Sequence, residues 1–347
     1  MHILKTLSLS FLTLLLSLVA ISVFAGASFL RIAILKQVHH GCPSCELKIG
    51  TLALAPLFGH LAATDVKFVS DPASGTVVRF YIPKLEIQFN PSALFGAVLD
   101  IRKVEIFAPQ VTVRERDESH PGVYPEFPPP GYATSALPPA RGQEILIHDG
   151  RFTYELAILN KTARIEIRNI EAQSGGFVTR QSLLTKPYEH LIHLQANAKL
   201  EHSGTLFLNV LFDPFADKNR DQIEIDLREQ HLAEANSFFS VTGGVELSGT
   251  LHHAHASMLL AESVLSGVLS VNYENLNFTF HSTPQRGWLK TWLLGAAQSI
   301  KRIKTRPTKS SSQDPKVQIF FVRKPHMPVT KWILKGLADA TEKIISI

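Results

Sequence analysis

The stretch ILIHDGRFTYE, residues 145–155, followed by ARIEIRNIEAQ, residues 163–173, decides how this chain is read. Ile145 and Ile147, then Ile165 and Ile167, occupy alternate positions, with Glu166 and Arg168 on the others. Successive side chains of an extended strand point to opposite faces. A period of two therefore marks strands with one apolar and one polar side. Outward from this stretch the pattern runs from about Leu47 to Phe280. It recurs in Leu85, Ile87, Phe89; Val111, Val113; Leu206, Leu208, Val210; Ile223, Ile225, Leu227; and Leu276, Phe278, Phe280. The intervening positions carry Glu86, Gln88, Thr112, Glu224, Asp226, Asn275 and Asn277. One-sided alternation fits antiparallel sheet with one face away from water. Roughly fifteen such segments are separated by turn signals at Asp71-Pro72, Asp149-Gly150, Gly175-Gly176, Gly204 and Gly243-Gly244. No βα alternation is present, which argues against a doubly wound or barrel-type parallel sheet.

Three stretches break the pattern. The loop 116–142 contains PGVYPEFPPPGYATSALPPARG, with seven prolines. Proline supplies no ladder donor and favours polyproline geometry, so this reads as an extended or mobile loop, with a motif for a proline-binding partner as the sharper reading. LAEANSFF, Leu232 to Phe239, predicts one or two helical turns between strands. From Arg286 to Arg306 the period changes to that of a helix, with Leu289, Trp292, Leu293, Ala296, Ile300 and Ile303 on one face. Its charges are all positive. Trp288, Lys290, Trp292, Lys301, Arg302 and Lys304 make it a candidate membrane-surface helix, the alternative being a helix that caps an end of the sheet. A strand at Val317 to Val322 follows, then a second amphipathic helix with Val329, Trp332, Ile333, Leu337, Ala340 and Ile344 on one face.

The chain has 347 residues, 45% hydrophobic, enough to bury a sizeable core, and only 19% charged. From Thr6 to Leu30 no side chain is charged. As a helix this run spans roughly 37 Å, enough to cross a hydrocarbon core of about 30 Å. Lys5 precedes it and Arg31 and Lys36 follow, so the flanking charges leave its orientation open. We read an uncleaved anchor. A cleavable signal peptide ending at Val23-Phe24-Ala25 is the alternative, and either exports the remainder. The expected organisation is an anchor at 1–36, a β body at 37–285, and a C-terminal portion at 286–347. Export argues against a nucleic-acid partner for the basic run.

The only cysteines, Cys42 and Cys45, lie in HHGCPSCE. A small disulfide loop in an oxidising compartment is the first reading. A metal half-site with His39 and His40 and a redox dithiol are the alternatives. A haem site is disfavoured because Glu46 stands where the axial His would follow. His252, His253 and His255 form the most metal-like cluster, but on a strand only His253 and His255 share a face. Asp213, Asp217 and Asp221 around Pro214 could contact calcium, although a solvated turn explains them as well. No G-x-S-x-G elbow, P-loop, helix-opening G-x-G-x-x-G or H-E-x-x-H occurs, and no catalytic residue, metal site or cofactor is assigned.

The order of these features resembles the AsmA-like family, bacterial relatives of the repeating β-groove lipid-transfer proteins. NPSALFGAVLDIRKVEIFAPQVTVRE, residues 90–115, is similar to the family's small helical turn followed by two strands. ILIHDGRFTYE and ARIEIRNIEAQ resemble its repeated strand pairs. LSGVLSVNYENLNFTF, residues 265–280, then the basic helix, then VRKPHMPVTKWILKGL, residues 322–337, resembles the terminal portion of one AsmA-related branch. The likeness is diffuse along the whole chain. It implies a long, half-open, curved antiparallel sheet, a taco-like groove tethered to the inner membrane by a single span, with its body in the periplasm. It also implies binding and shuttling of phospholipid or another acyl lipid, in support of envelope integrity, with envelope proteins as possible partners and no enzymatic step. Candidate lining residues are Ile87, Ile106, Val111, Ile147, Ile167, Leu208, Ile225 and Phe278. A non-enzymatic assembly scaffold with a closed β core is the alternative, because alternation alone does not separate a groove from a packed sandwich.

Overall fold

The computed structural model describes residues 42, 44–70, 76–92, 98–116, 139–158, 161–178, 191–213, 220–280 and 315–322, with parts of helices within 27–39 and 333–343. Residues 1–26 of the expected anchor, the Pro-rich residues 117–138 and the basic helix lie outside the described residues. So do Trp288, Lys290, Trp292, Lys301, Arg302 and Lys304. Among the described residues, no helix is long and apolar enough to cross a membrane.

All described strands belong to one sheet of sixteen segments. Several segments are collinear, because the register carries through the break between them, and they reduce to twelve long strands in chain order. These are β1 (Glu46–Lys48 and Thr51–Ala55), β2 (His60–Val69), β3 (Thr76–Phe89) and β4 (Leu99–Phe107 and Gln110–Arg116). Then come β5 (Ala140–Gly142 and Ile145–Ile158), β6 (Lys161–Ser174 and Phe177–Val178), β7 (Ile192–Leu200) and β8 (Gly204–Phe212). The last four are β9 (Arg220–His231), β10 (Val245–Ala261), β11 (Val264–Phe280) and β12 (Lys316–Val322). Each pairs with its chain neighbour. Eleven steps of about 4.8 Å make a ribbon of roughly 53 Å, somewhat shorter than fifteen separate strands would give.

The sheet is mixed, which corrects the expectation of purely antiparallel pairing. β4 and β5 run parallel, with Ile106 beside Ile147 and Val111 beside Phe152 at one constant offset. Parallel neighbours need a crossover rather than a hairpin. The chain between Arg116 and Ala140 supplies it, returning from the far end of β4 to the side of Leu99.

A second correction concerns Asp149-Gly150. It is not a turn between strands but an interruption within β5, where Asp149 is left-handed at φ 51°. Similar left-handed residues occur inside β2 at Asp65, within β4 at Ala108, inside β6 at Asn169, inside β9 at Glu229 and inside β11 at Asn275. An inserted residue of this kind bends a strand, raises its twist and re-aims the side chains beyond it. A Cβ built on Gly150 would meet Ile147 Cγ2 at 3.2 Å, so positions three apart share a face here. The reversal keeps the apolar residues of both halves of the strand on one side.

The predicted turns at Leu232 to Phe239 form a 3₁₀ turn, Leu232–Ala235, running into helix α1, Asn236–Gly243. This helix fills a notch beyond the short β7–β8 hairpin. Asn236 joins it to β10 by bonding both the N–H and the carbonyl of Leu247, and the Ser237 hydroxyl donates to the Arg164 carbonyl of β6. Glu234 secures the same corner, accepting from the His202 and Ser203 N–H groups, the Ser203 hydroxyl and the Gln230 amide.

The polar side carries ladders of charge. Its most enclosed member, Glu166, is 3% exposed, with Arg168 at 2.7 Å and Arg151 and Arg164 each at 3.3 Å. Burial pushes this carboxyl upward, but the Arg168 hydrogen bond and the charges of Arg168, Arg164 and Arg151 outweigh it and hold the group below its ordinary value. A depressed carboxyl contributes stability above its unfolded value and loses it as pH falls through the folded one. Glu166→Gln is therefore expected to cost about 2–3 kcal/mol at pH 7 in urea denaturation. The gap to wild type should shrink below about pH 4.5. A gap unchanged at pH 3 would contradict this account.

Candidate functional site

Following the pairing from strand to strand at one level traces a single row across the sheet. It reads Leu52, Ala63, Leu85, Ile106, Ile147, Ala172, Ala196, Leu208, Ile225, Ala256, Leu269, Val317. Every strand contributes one residue and none is polar. The next row on the same face reads Leu54, Leu61, Ile87, Val104, Ile145, Ser174, Leu194, Val210, Ile223, Met258, Gly267, Ile319. Beyond the left-handed residues a third row joins Leu47, Phe68, Phe80, Val111, Phe152, Ile167 and Leu200. One residue away, on the opposite face, the row is mostly polar, with Glu86, Glu105, Gln173, Gln195, Asn209, Glu224, Ser257 and Gln318 interrupted by Ala53, Ala62, Leu146 and Val268.

Burial along the first row is uneven in an informative way. Ala256, Leu269 and Val317 are buried in the largest cluster, with Ile223, Met258, Leu260, Leu265 and Ile319. The C-terminal helical residues Ile333, Leu337 and Ala340 cover this cluster, so three members of the predicted second amphipathic face lie on the sheet. Its fit is close: a Cβ on Gly336 would come within 2.3 Å of Leu265. At the other end Ala63 is buried, and Phe89, Ile101 and Ala140 form a smaller cluster. Between these ends, Leu85, Ile106, Ile147, Ala172, Ala196, Leu208 and Ile225 are only half-buried. Among the described residues no second sheet lies opposite them. Among the described residues a middle stretch of several strands therefore presents an unbroken, half-buried apolar surface, covered by helical residues at its C-terminal end.

The sequence-predicted lining residues fall into this frame unequally. Ile106, Ile147, Leu208 and Ile225 share the first row, and Ile87 lies in the second. Val111 and Ile167 lie in the third. Phe278 belongs to a satellite cluster with Val245, Leu247, Leu232 and Phe239, beside α1 and away from the rows. The alanines Ala172 and Ala196 escaped prediction because a methyl group gives little periodic signal. Their small size sets the floor of the surface.

Other candidates have local explanations. Cys42 and Cys45 are joined in a disulfide with Cα atoms 5.3 Å apart. His253 bonds Asp226 at 2.7 Å, its ring stacked on that of His255, while His252 stands between Glu229 and Glu274. The Glu274 hydrogen bond, opposed by burial and aided by Glu229, raises the His252 pKa. Burial lifts the Asp226 carboxyl, but Arg228 and His253 draw it below its ordinary value. Among the described residues no group of three or more His, Cys, Asp or Glu could hold a metal ion. Asp217 lies outside them, while Asp213 and Asp221 flank the undescribed 214–219. No protein-family model matches the chain, and comparison with curated proteins finds no relative.

Proposed function

We propose that this chain binds and shuttles lipid, phospholipid before other acyl lipids, on the apolar face of its sheet, as an inner-membrane-anchored protein with its body in the periplasm. The observation that carries the reading is the first row: twelve strands, twelve apolar residues, and a half-buried middle. A closed core would bury that middle as thoroughly as it buries Leu265 or Ile319. An acyl chain leaving a bilayer through water loses about 0.8 kcal/mol per CH₂, and a half-open apolar surface removes most of that cost. The polar face one residue away stays wet, which suits a carrier whose cargo has an apolar and a polar end. A ribbon of roughly 53 Å exceeds the hydrocarbon thickness of one bilayer but spans little beyond it. Transfer then involves one membrane or envelope partner proteins. The reading involves no covalent step and no cofactor.

Native mass spectrometry with lipid extraction tests it on the body from about residue 37, which keeps all twelve strands. Acyl lipid at a stoichiometric level after detergent removal is the expected result. A lipid-free, cooperatively folded body would instead favour an envelope assembly scaffold.

A further inference from the structure

The β1–β2 hairpin presents a feature that the lining of the sheet does not need. Its turn is the 3₁₀ segment Pro56–Phe58, and it holds Leu57 at 69% and Phe58 at 85% exposure. The turn is firmly mounted. Gly59 adopts φ 60°, its N–H donates to the Pro56 carbonyl, and its carbonyl accepts the Phe89 N–H at 2.7 Å. A Cβ at Gly59 would come within 1.9 Å of the Phe89 carbonyl oxygen, so only glycine permits this close seating on the end of β3. Two large apolar side chains are thus held outward by a built support.

The surrounding charge narrows what meets them. From Thr51 to Thr64 no residue carries a formal charge, although 19% of the chain is charged and edge strands ordinarily carry charges that discourage pairing. Leu and Phe side chains bury shallowly at the boundary between headgroups and acyl chains, and charge becomes costly just beyond it, so an uncharged turn carrying both suits that depth. The turn also leads directly to the apolar face. Ala55 and His60 pair next to it, then Leu54 and Leu61, which begin the second row.

We propose that the Pro56–Phe58 turn inserts into the interfacial layer of a lipid bilayer and sets the β1 end of the sheet against it as the point of lipid entry or exit. The entry role rests on the lipid-binding reading above. Insertion is shallow, since among the described residues the outer side of β1 has no pairing partner and hydrocarbon cannot satisfy those backbone groups.

The native cysteines are tied to each other, and no other exists, so one introduced cysteine gives one labelling site. The full chain carrying Phe58→Cys, Ala196→Cys or Gln195→Cys is labelled with an environment-sensitive fluorophore. Each is reconstituted in phosphatidylethanolamine–phosphatidylglycerol vesicles containing nitroxide lipid. Phe58 is exposed and its replacement removes no contact from the core; Leu57→Cys is a second probe that retains Phe58. Labels at 57 and 58 should shift to the blue and be quenched, more by a nitroxide near the headgroup than by a deep one. The label at 195, on the polar face, should do neither. Adding Phe58→Asp to Leu57→Cys should return its label to the level of Gln195→Cys. Labels at 57 and 58 that match position 195 would overturn the proposal, even if the label at 196 reports bound lipid. Quenching at 57 and 58 with none at 196 would uphold bilayer contact and remove the entry role together with the lipid-binding reading.

Discussion

The double variant Ile147→Glu with Leu208→Glu is expected to lose lipid capture altogether while its sheet stays folded. Both residues lie in the first row, three strands apart, at roughly 14 Å given the usual strand spacing. The two new charges therefore interact weakly with each other across a wet surface. Each parent side chain is only half-buried, so an empty, water-filled face solvates the carboxylates. The loss of apolar burial costs on the order of 1 kcal/mol per site. Lipid changes the balance. An acyl chain laid over the row would strip water from both carboxylates, at several kcal/mol each unless they are protonated. That corresponds to a fall in occupancy of about a hundredfold or more. Lipid retained per protein, read by mass spectrometry beside a thermal melt, checks both halves of the claim. Gln195→Glu provides the control: it adjoins Ala196 but faces the polar side, and should leave lipid and melting unchanged. Ile319→Glu provides the converse, since Ile319 is 1% exposed beneath the C-terminal helix and a carboxylate there should unfold that end. If Ile147→Glu and Leu208→Glu unfold the protein as Ile319→Glu does, the face is a closed core and the carrier reading fails.

Strand content and the placement of one apolar face were legible in the sequence because alternation is a local property. Ile165 with Ile167, and Ile223 with Ile225, declare their side without help from any neighbour. Connectivity was not legible. Asp149-Gly150 has the composition of a turn, yet β5 runs through it, because Asp149 tolerates the left-handed conformation and the long strand gains pairing on both sides of the bend. A left-handed residue also aligns Ile106 with Val111. Five positions apart, they should face opposite ways, and only the left-handed Ala108 between them restores a common side. Phe278 shows how register sets position along the face. Its alternation is correct, but the left-handed Asn275 and the nearby α1 place it in a separate cluster. What a period of two reports is the face of a residue relative to its immediate neighbours. Membership of a continuous row depends on register, which is set by turns and bulges.

The parallel step between β4 and β5 leads to the prediction with the largest effect on folding. Arg116 ends β4, and the chain must next reach Ala140, which lies beside Leu99 at the other end of that strand. Seventeen residues of extended strand separate Leu99 from Arg116, a distance on the order of 50 Å along the sheet. Twenty-four peptide links join Arg116 to Ala140, with a fully stretched reach of about 80 Å. Removing about a dozen residues from within 117–138 lowers that reach to roughly 40 Å, too short for both pairings to form. The shortened chain should lose its cooperative transition or give up the Ala140–Gly142 pairing, visible as lost amide protection at Leu99 and Ile101. Replacing every proline of the segment with Gly or Ser at full length should act quite differently. It changes the entropy of closing the connection, by about 1 kcal/mol or a few, but leaves its reach intact. If the shortened and proline-free variants are equally stable, the length of the crossover is not what permits the parallel step. If only the shortened one fails, the seventeen-residue return path explains why so long a connection lies between two strands that are neighbours in the sheet.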